Sequence, residues 1–367
     1  MPPPTITDFI NGSFVKPQNP EETIAIRSPA DIDDIIGELA WHRDQVDAAI
    51  LAARHAFKSW RALEMSSRVS LLKKYQAALK THADDIAHAI SREIGKPTWE
   101  ARTEAAAMVS KVDVTINEGL TFTRDVAIDD LPGEIQHRPH GVAAVIGPFN
   151  FPGHLPNGQI VPALLSGNTV VFKPSEKGAL TAQLMARCFD EAGFPPGVFN
   201  LVNGSAPVAE RLSAHSGINA LLFTGSLDVG RKILSTNAHR PGLMIALELG
   251  GKNASIVLDD CDLERTAREI AFSGFATAGQ RCTATSRVIA THHVAERLGE
   301  RLAAIARRTT VGHPQDANVF MGPLISESSR QAVLKATDAA RQHGCTVLAP
   351  SMAFEARTKG YYLSPSV

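Results

Sequence analysis

The residues of this chain best suited to covalent chemistry are a cysteine and a glutamate, each set beside glycine. Cys282 lies in Gly279-Gln280-Arg281-Cys282, and Glu248 in Glu248-Leu249-Gly250-Gly251-Lys252-Asn253. A thiolate can hold an acyl group, and a carboxylate can activate the water that removes it. Small and polar residues surround Cys282, from Thr277 to Thr283, and Arg281 brings positive charge beside it. Both features favour a reactive thiolate. Cys188, Cys261 and Cys345 have no such frame and read as small buried hydrophobes. Glu248 closes the apolar run 243–247, and two glycines shortly after it leave the backbone open to a ligand. A glutamate in a surface turn would look similar.

Other polar residues follow apolar runs in the same way. Asn150 sits between Pro148 and Pro152, which stiffen its turn. Its amide suits either an oxyanion or the turn's own backbone. Lys173 and Glu176 follow the run 169–172, where they could bond ribose hydroxyls. Gly225-Ser226-Leu227-Asp228-Val229-Gly230 opens a helical stretch, whose first amides suit a pyrophosphate. By itself, G-x-x-x-x-G is a weak signal.

The elements that position these residues are legible in outline. Val46, Ile50, Ala53, Phe57 and Trp60 share one helix face. Val69, Leu72 and Leu79 extend a second helix from an N-cap at Ser66-Ser67 to a stop at Gly95-Lys96-Pro97, and a third runs from Trp99 to Val114. The first third therefore reads as helical. From residue 141, strand candidates at 142–146, 169–172, 198–202 and 220–223 alternate with helices near 178–192, 206–214 and 227–237. That alternation predicts a doubly wound parallel sheet, an α/β fold whose ligands bind beyond the carboxyl ends of the strands. A second α/β segment follows: strand 254–258, helix 262–277, the cysteine loop, strand 285–290 and helix 294–308.

Bulk composition narrows the function classes. The chain has 367 residues, 37 Lys+Arg against 38 Asp+Glu, and four cysteines without C-x-x-C spacing. Balanced charge gives no reason to expect a nucleic acid or an anionic membrane as partner. No zinc or redox pair is indicated, and sparse thiols fit the cytoplasm. Neither a secretion signal nor a membrane-length apolar run is present in the sequence.

Together, the motifs around Asn150, Lys173, Gly225, Glu248 and Cys282 resemble the aldehyde dehydrogenase superfamily, from Ile10-Asn11-Gly12 onward. Their order and separations are much as that family has them. Phe149-Asn150-Phe151-Pro152-Gly153-His154-Leu155-Pro156-Asn157-Gly158 is most similar to its N-succinylglutamate 5-semialdehyde dehydrogenase branch, which serves bacterial arginine catabolism.

The resemblance implies a role for each residue. Cys282 is the nucleophile, Glu248 the general base, and Asn150 the oxyanion donor together with the amide of Cys282. Lys173, Glu176, Gly225, Ser226, Gly230, Leu249 and Gly250 bind the cofactor. It implies NAD rather than NADP, since Glu176 would accept from a 2′-hydroxyl and repel a 2′-phosphate. Arg281 and His154 are candidate contacts for an anionic substrate, and Arg281 reads equally as a surface residue or a helix partner. The implied domains are 1–124 with 141–248 for the cofactor, 125–140 as an oligomerisation arm of a homo-oligomer, and 249–367 for catalysis. Another aldehyde as substrate, or an inactive fragment that keeps the fold, is the alternative. Acyl transfer to phosphate or coenzyme A fits less well, because it would not need the base at Glu248.

The family continues beyond the point matching Val367, through a Glu-x-Phe-Gly-Pro motif whose glutamate holds the nicotinamide ribose. The expectation is therefore an incomplete catalytic domain, with a sheet edge and apolar faces uncovered, that is unstable or prone to aggregate.

Overall fold

A computed structural model describes residues 4–128 and 132–367. In chain order the strands are β1 (Thr5–Ile6), β2 (Asp8–Ile10), β3 (Ser13–Val15), β4 (Glu22–Ser28), β5 (Asp31–Trp41), β6 (Val126–Ala127), β7 (Glu134–Ile135), β8 (Val142–Ile146), β9 (Thr169–Lys173), β10 (Phe199–Leu201), β11 (Ala220–Gly225), β12 (Met244–Leu249), β13 (Asn253–Val257) and β14 (Thr285–Ala290). The helices are α1 (Gln45–Ala62), α2 (Met65–Thr81), α3 (Ala83–Ile94), α4 (Thr98–Asn117), α5 (His154–Leu165), α6 (Ala179–Glu191), α7 (Ala206–Ala214), α8 (Leu227–Asn237), α9 (Leu263–Phe275), α10 (His292–Arg308) and α11 (Glu327–Gln342). They form two compact units. The first takes the chain through Ile26, then Gly37–Ala89 and Arg102–Leu249; the second takes Arg27–Ile36, Ile90–Ala101 and Gly250–Val367.

The first unit contains the expected doubly wound sheet, in the order β12-β11-β8-β9-β10-β2-β3. Strands β8 to β12 are parallel, while β2 runs antiparallel to β10. β8 and β9 are buried along their whole length, which is why they read as continuous β-branched runs. The core joins Val142, Ala144 and Val171 to Val46, Ile50 and Ala53 of α1 and to Leu212 and Leu221. Each buried Val, Ile or Leu contributes about 1.5–3 kcal/mol. The winding reverses between β8 and β11, and ligands bind at such a switch point.

Polar contacts secure the helix that follows β8. Tyr75 Oη donates to Asn157 Oδ1 at 2.9 Å, and Asn157 Nδ2 donates to the Met108 carbonyl at 3.0 Å. At the other end of α5, Trp60 Nε1 and Arg68 Nε donate to the carbonyls of Leu164 and Leu165. Those carbonyls belong to a helix end, where no intrahelical partner exists. At the sheet's far side, buried Asp8 accepts from the Asn203 amide at 2.7 Å and so ties β2 to the end of β10.

The second unit is built on a parallel pair, β13 and β14, with Val257 opposite Ala290. Val257, Ala267, Ile270, Leu298 and Leu302 form its core. An early segment packs with a late one where Tyr362 Oη donates to the Ala30 carbonyl at 2.8 Å, and the two early segments join each other where Arg92 pairs with Asp34 at 2.6 Å. Much of the strand pair stays open. Ile256 is 74% exposed and Ile289 56%, with Leu258 and Phe272 also at the surface.

Three local expectations are corrected. Residues 5–41 form five strands rather than helix, because β4 and β5 alternate polar and apolar residues at a half-buried surface. α2 begins after Glu64, with extended backbone there, so Ser66 and Ser67 lie inside the helix. The helical stretch up to Gly95 is two helices, α2 and α3, separated at His82. Within 125–140, β6 and β7 pair antiparallel, with Val126 opposite Ile135; residues 129–131 of the expected arm lie outside the described residues.

Candidate active site

Within the first unit, the strand ends bring most of the expected residues to one side of the parallel sheet. Lys173 closes β9 in register with Ile146, the last residue of β8. Asn150 lies in the bend just beyond Ile146, half-buried. Gly225 closes β11 opposite Leu249, and Glu248 stands opposite Thr224 and is exposed. Gln159 Nε2 of α5 donates to Thr224 Oγ1 at 3.2 Å, which links the elements either side of the switch point.

The loop bearing Asn150 is anchored where it enters α5. The buried carboxylate of Glu104 accepts from the amides of Gly153 and His154 at 3.0 and 3.1 Å. It satisfies helix-start donors and complements the positive end of the helix. His154 is the first residue of α5, half-buried, with its ring edge toward Phe151. Sequence reasoning missed Glu104, since nothing near residue 104 hints at a partner some 50 positions on.

Lys173 is buried, and removal from water pulls its ammonium down to about 8 against the opposing pull of Glu176. A buried cation at a strand end suits ligand oxygens. Glu176 begins a short 3-10 turn capped by Ser175 Oγ, which accepts from the Lys177 amide. Ser226 caps α8, accepting from the Val229 amide at 3.3 Å. Gly230 faces β12, and a Cβ there would fall 2.9 Å from a Leu249 methyl. The serine thus starts α8, and the glycine lets it pack against the strand. The first unit therefore offers a strand-end cation, a capped helix start and a switch point, which fit a dinucleotide.

Within the second unit, Cys282 is exposed on the loop between α9 and β14; Cys345 is exposed too and Cys261 half-buried, so of the three cysteines expected to be buried only Cys188 is. Just before it the backbone is unusual. Thr277 has φ 55° and Ala278 φ 52°, followed by Gly279 at φ 70°. Left-handed backbone costs an L-residue about 1–2 kcal/mol, and a β-branched residue rarely adopts it. Glu100 of α4, only 2% exposed, faces this turn. Its Oε2 accepts from the Thr277 amide at 3.1 Å, and its Oε1 accepts from the Thr277 hydroxyl and from Arg281 Nη2, the latter at 2.6 Å. Arg281 Nε also donates to Thr277 Oγ1 at 2.7 Å. The guanidinium expected to serve either a substrate or a neighbouring element thus binds α4 and its own loop.

On the other side of the cysteine, Asn253 Nδ2 donates to the carbonyls of Cys282 and Ala284. Gly250 and Gly251 are exposed, but only Gly251 approaches the cysteine backbone. Asn253 and Thr277 stand in the motifs of the sequence without an assigned role, whereas Glu100 carries no sequence signal at all. Among the described residues no cluster of His, Cys, Asp and Glu could hold a metal ion.

Comparison with known proteins gives a consistent picture. Residues 14–367 match the Aldehyde dehydrogenase family. The chain is 42% identical over 308 residues to an N-succinylglutamate 5-semialdehyde dehydrogenase of Ectopseudomonas mendocina, covering 83% of this chain and 63% of that protein. It therefore spans less than two thirds of that relative's length. An aldehyde dehydrogenase of Bartonella henselae superposes with a TM-score of 0.94 at 28% identity, over 100% of this chain and 77% of the other. The NAD+ complex of an aldehyde dehydrogenase from Bacillus cereus superposes with a TM-score of 0.93 at 31% identity, over 99% and 74%. On the match across nearly its whole length, this chain belongs to the aldehyde dehydrogenase family.

Proposed function

We propose that this protein oxidises an aldehyde to a carboxylic acid through a thioester on Cys282, with NAD as cofactor and N-succinyl-L-glutamate 5-semialdehyde as substrate in arginine catabolism. The observation that carries the chemistry is an exposed cysteine on a loop held from both sides, by Glu100 and by Asn253. The substrate rests on the 42% identical relative.

The Cys282 thiolate adds to the aldehyde carbon. Asn150 Nδ2 and the Cys282 amide donate to the resulting oxyanion, each such donor contributing about 2.7–4 kcal/mol to the transition state. When bound, NAD would supply the acceptor for the hydride that leaves the former aldehyde carbon, and loss of that hydride leaves a thioester on Cys282. Glu248 takes a proton from water, the hydroxide adds to the thioester, and the thiolate leaves with the acid released. Lys173 and Glu176 would hold ribose hydroxyls, and Gly225 and Ser226 would lie at the pyrophosphate. Gly230, Leu249 and Gly250 would shape the surrounding surface. His154, at the start of α5, is the remaining candidate for an anionic substrate group.

The setting follows from the same reading. Four free cysteines support a cytoplasmic location, and among the described residues no helix is long and apolar enough to cross a membrane. Phe122, 81% exposed, precedes β6 in the chain, and Val126 and Ile135 of the β6–β7 pair are exposed as well, which supports a homo-oligomer through this arm.

The test is intact-mass analysis of the protein mixed with the semialdehyde and NAD, alongside NADH absorbance. An acyl adduct on the peptide holding residue 282, lost with turnover in Cys282→Ser, is expected. Turnover that survives Cys282→Ser refutes the reading.

A further inference from the structure

Resting on the reading of Cys282 as nucleophile, we propose that Glu100 is the positioning residue of the cysteine loop and that Arg281 belongs to this scaffold rather than to the substrate. The turn 277–279 places three consecutive residues in the left-handed region, two of them not glycine. Such a turn persists only where its surroundings over-determine it. Glu100 supplies that determination. Its two carboxylate oxygens engage the Thr277 amide, the Thr277 hydroxyl and the Arg281 guanidinium together. Gln280 completes the frame: its amide and Nε2 both donate to the Thr277 carbonyl, and its Oε1 accepts from the Ile325 amide at 3.0 Å.

Every polar atom of Thr277 is thus engaged, and Cys282 follows five residues later. The direction in which the chain leaves this turn sets where the sulfur stands. Glu100 also neutralises the guanidinium of Arg281, the residue that precedes the cysteine. A buried carboxylate is costly unless paired and bonded. This one is both, through its bonds to Thr277 and Arg281 of the cysteine loop.

The test compares the full chain with Glu100→Gln, Thr277→Val and Thr277→Ser. Steady-state oxidation of the semialdehyde and of propanal gives kcat and both KM values. Iodoacetamide labelling of Cys282, read on its peptide without aldehyde or dinucleotide, reports the loop directly. Fully buried Cys188 stays unlabelled in any variant that keeps the fold of its unit. Glu100→Gln and Thr277→Val are expected to lower kcat about 10- to 100-fold with both KM values within about twofold, since a misplacement near 1 Å has that effect. Thr277→Ser, which keeps the hydroxyl, is expected to retain activity near the parent's. In Glu100→Gln the uncompensated Arg281 is expected to speed Cys282 labelling about fivefold or more.

Parent-like kcat and labelling in Glu100→Gln would overturn the proposal while leaving Cys282 as nucleophile. If the parent chain turns over neither aldehyde, the nucleophile reading fails and the labelling ratio still decides. Faster labelling supports Glu100 as the loop's anchor, and an unchanged rate removes it.

Discussion

The side chain of Asn253 binds the carbonyl oxygen of Cys282 at 2.7 Å. The same oxygen would lie 2.7 Å from a Cβ placed on Gly251, whereas a Cβ on Gly250 would meet nothing within 4 Å. The two glycines of this run therefore differ in kind. Gly251→Ala pushes against backbone and is expected to cost about 1–3 kcal/mol. Asn253→Ala removes two hydrogen bonds at about 0.5–1.5 kcal/mol each. Gly250→Ala should leave stability unchanged within about 0.5 kcal/mol. Urea unfolding of the three variants checks the order.

Glu248 serves only the water step in the proposed mechanism. Glu248→Gln should therefore acylate normally and then stall. The expected record is one equivalent of NADH formed in a burst, a steady rate lowered about 10²- to 10⁴-fold, and an acyl adduct that persists on Cys282. A burst no larger than the parent's, with no lasting adduct, would assign the base elsewhere.

Lys173 carries a pH signature. Its folded value, about 8, lies below the ordinary 10.5 because burial disfavours the ammonium. The unfolded chain thus binds the proton more tightly, and this group's contribution to stability rises from about pH 8 to about pH 10.5. Dinucleotide binding should move the other way, weakening above pH 8 as the charge is lost. Lys173→Met is expected to weaken binding about 10-fold or more at pH 7 and to flatten that dependence. Calorimetric titration at pH 7 and pH 9 measures both effects.

Asp8 has the opposite sense. Burial raises its carboxyl from 3.8 to about 7, against the bonds from Asn203. The folded state holds this proton more tightly, so stability from Asp8 is complete below pH 4 and is lost as pH rises through 7. Asp8→Asn keeps an acceptor for the Asn203 amide and removes the ionisation. Its advantage over the parent should grow by about 2–3 kcal/mol between pH 5 and pH 8, as urea midpoints would show.

What could be read from the sequence followed from local pattern. β8, β9 and β11 are visible because each is a short, mostly apolar run, and α6, α7 and α8 because they fill the gaps between strands. Strand β5 was missed because Asp31, Asp33 and Asp34 break up its apolar pattern, Asp33 facing solvent and Asp34 pairing with Arg92. Cys282, Glu248 and Asn150 stand out as candidates because glycine and proline mark their turns. Glu100 and Glu104 were hidden because each acts across the fold: Glu100 meets Thr277 177 positions away, and Glu104 meets Gly153 49 positions away. No local periodicity reports such a partnership.

The second unit gathers Arg27–Ile36 and Ile90–Ala101 around a body that begins only at Gly250. During synthesis those two early stretches leave the ribosome well before the chain they pack with, at about 5–20 residues per second. For several seconds or longer, Ala30 waits for Tyr362 and Glu100 for Thr277. The cysteine turn can adopt its shape only after this wait, so chemical competence arrives late in the life of the nascent polypeptide, and a ribosome that stalls before residue 277 leaves a carboxylate with nothing to hold.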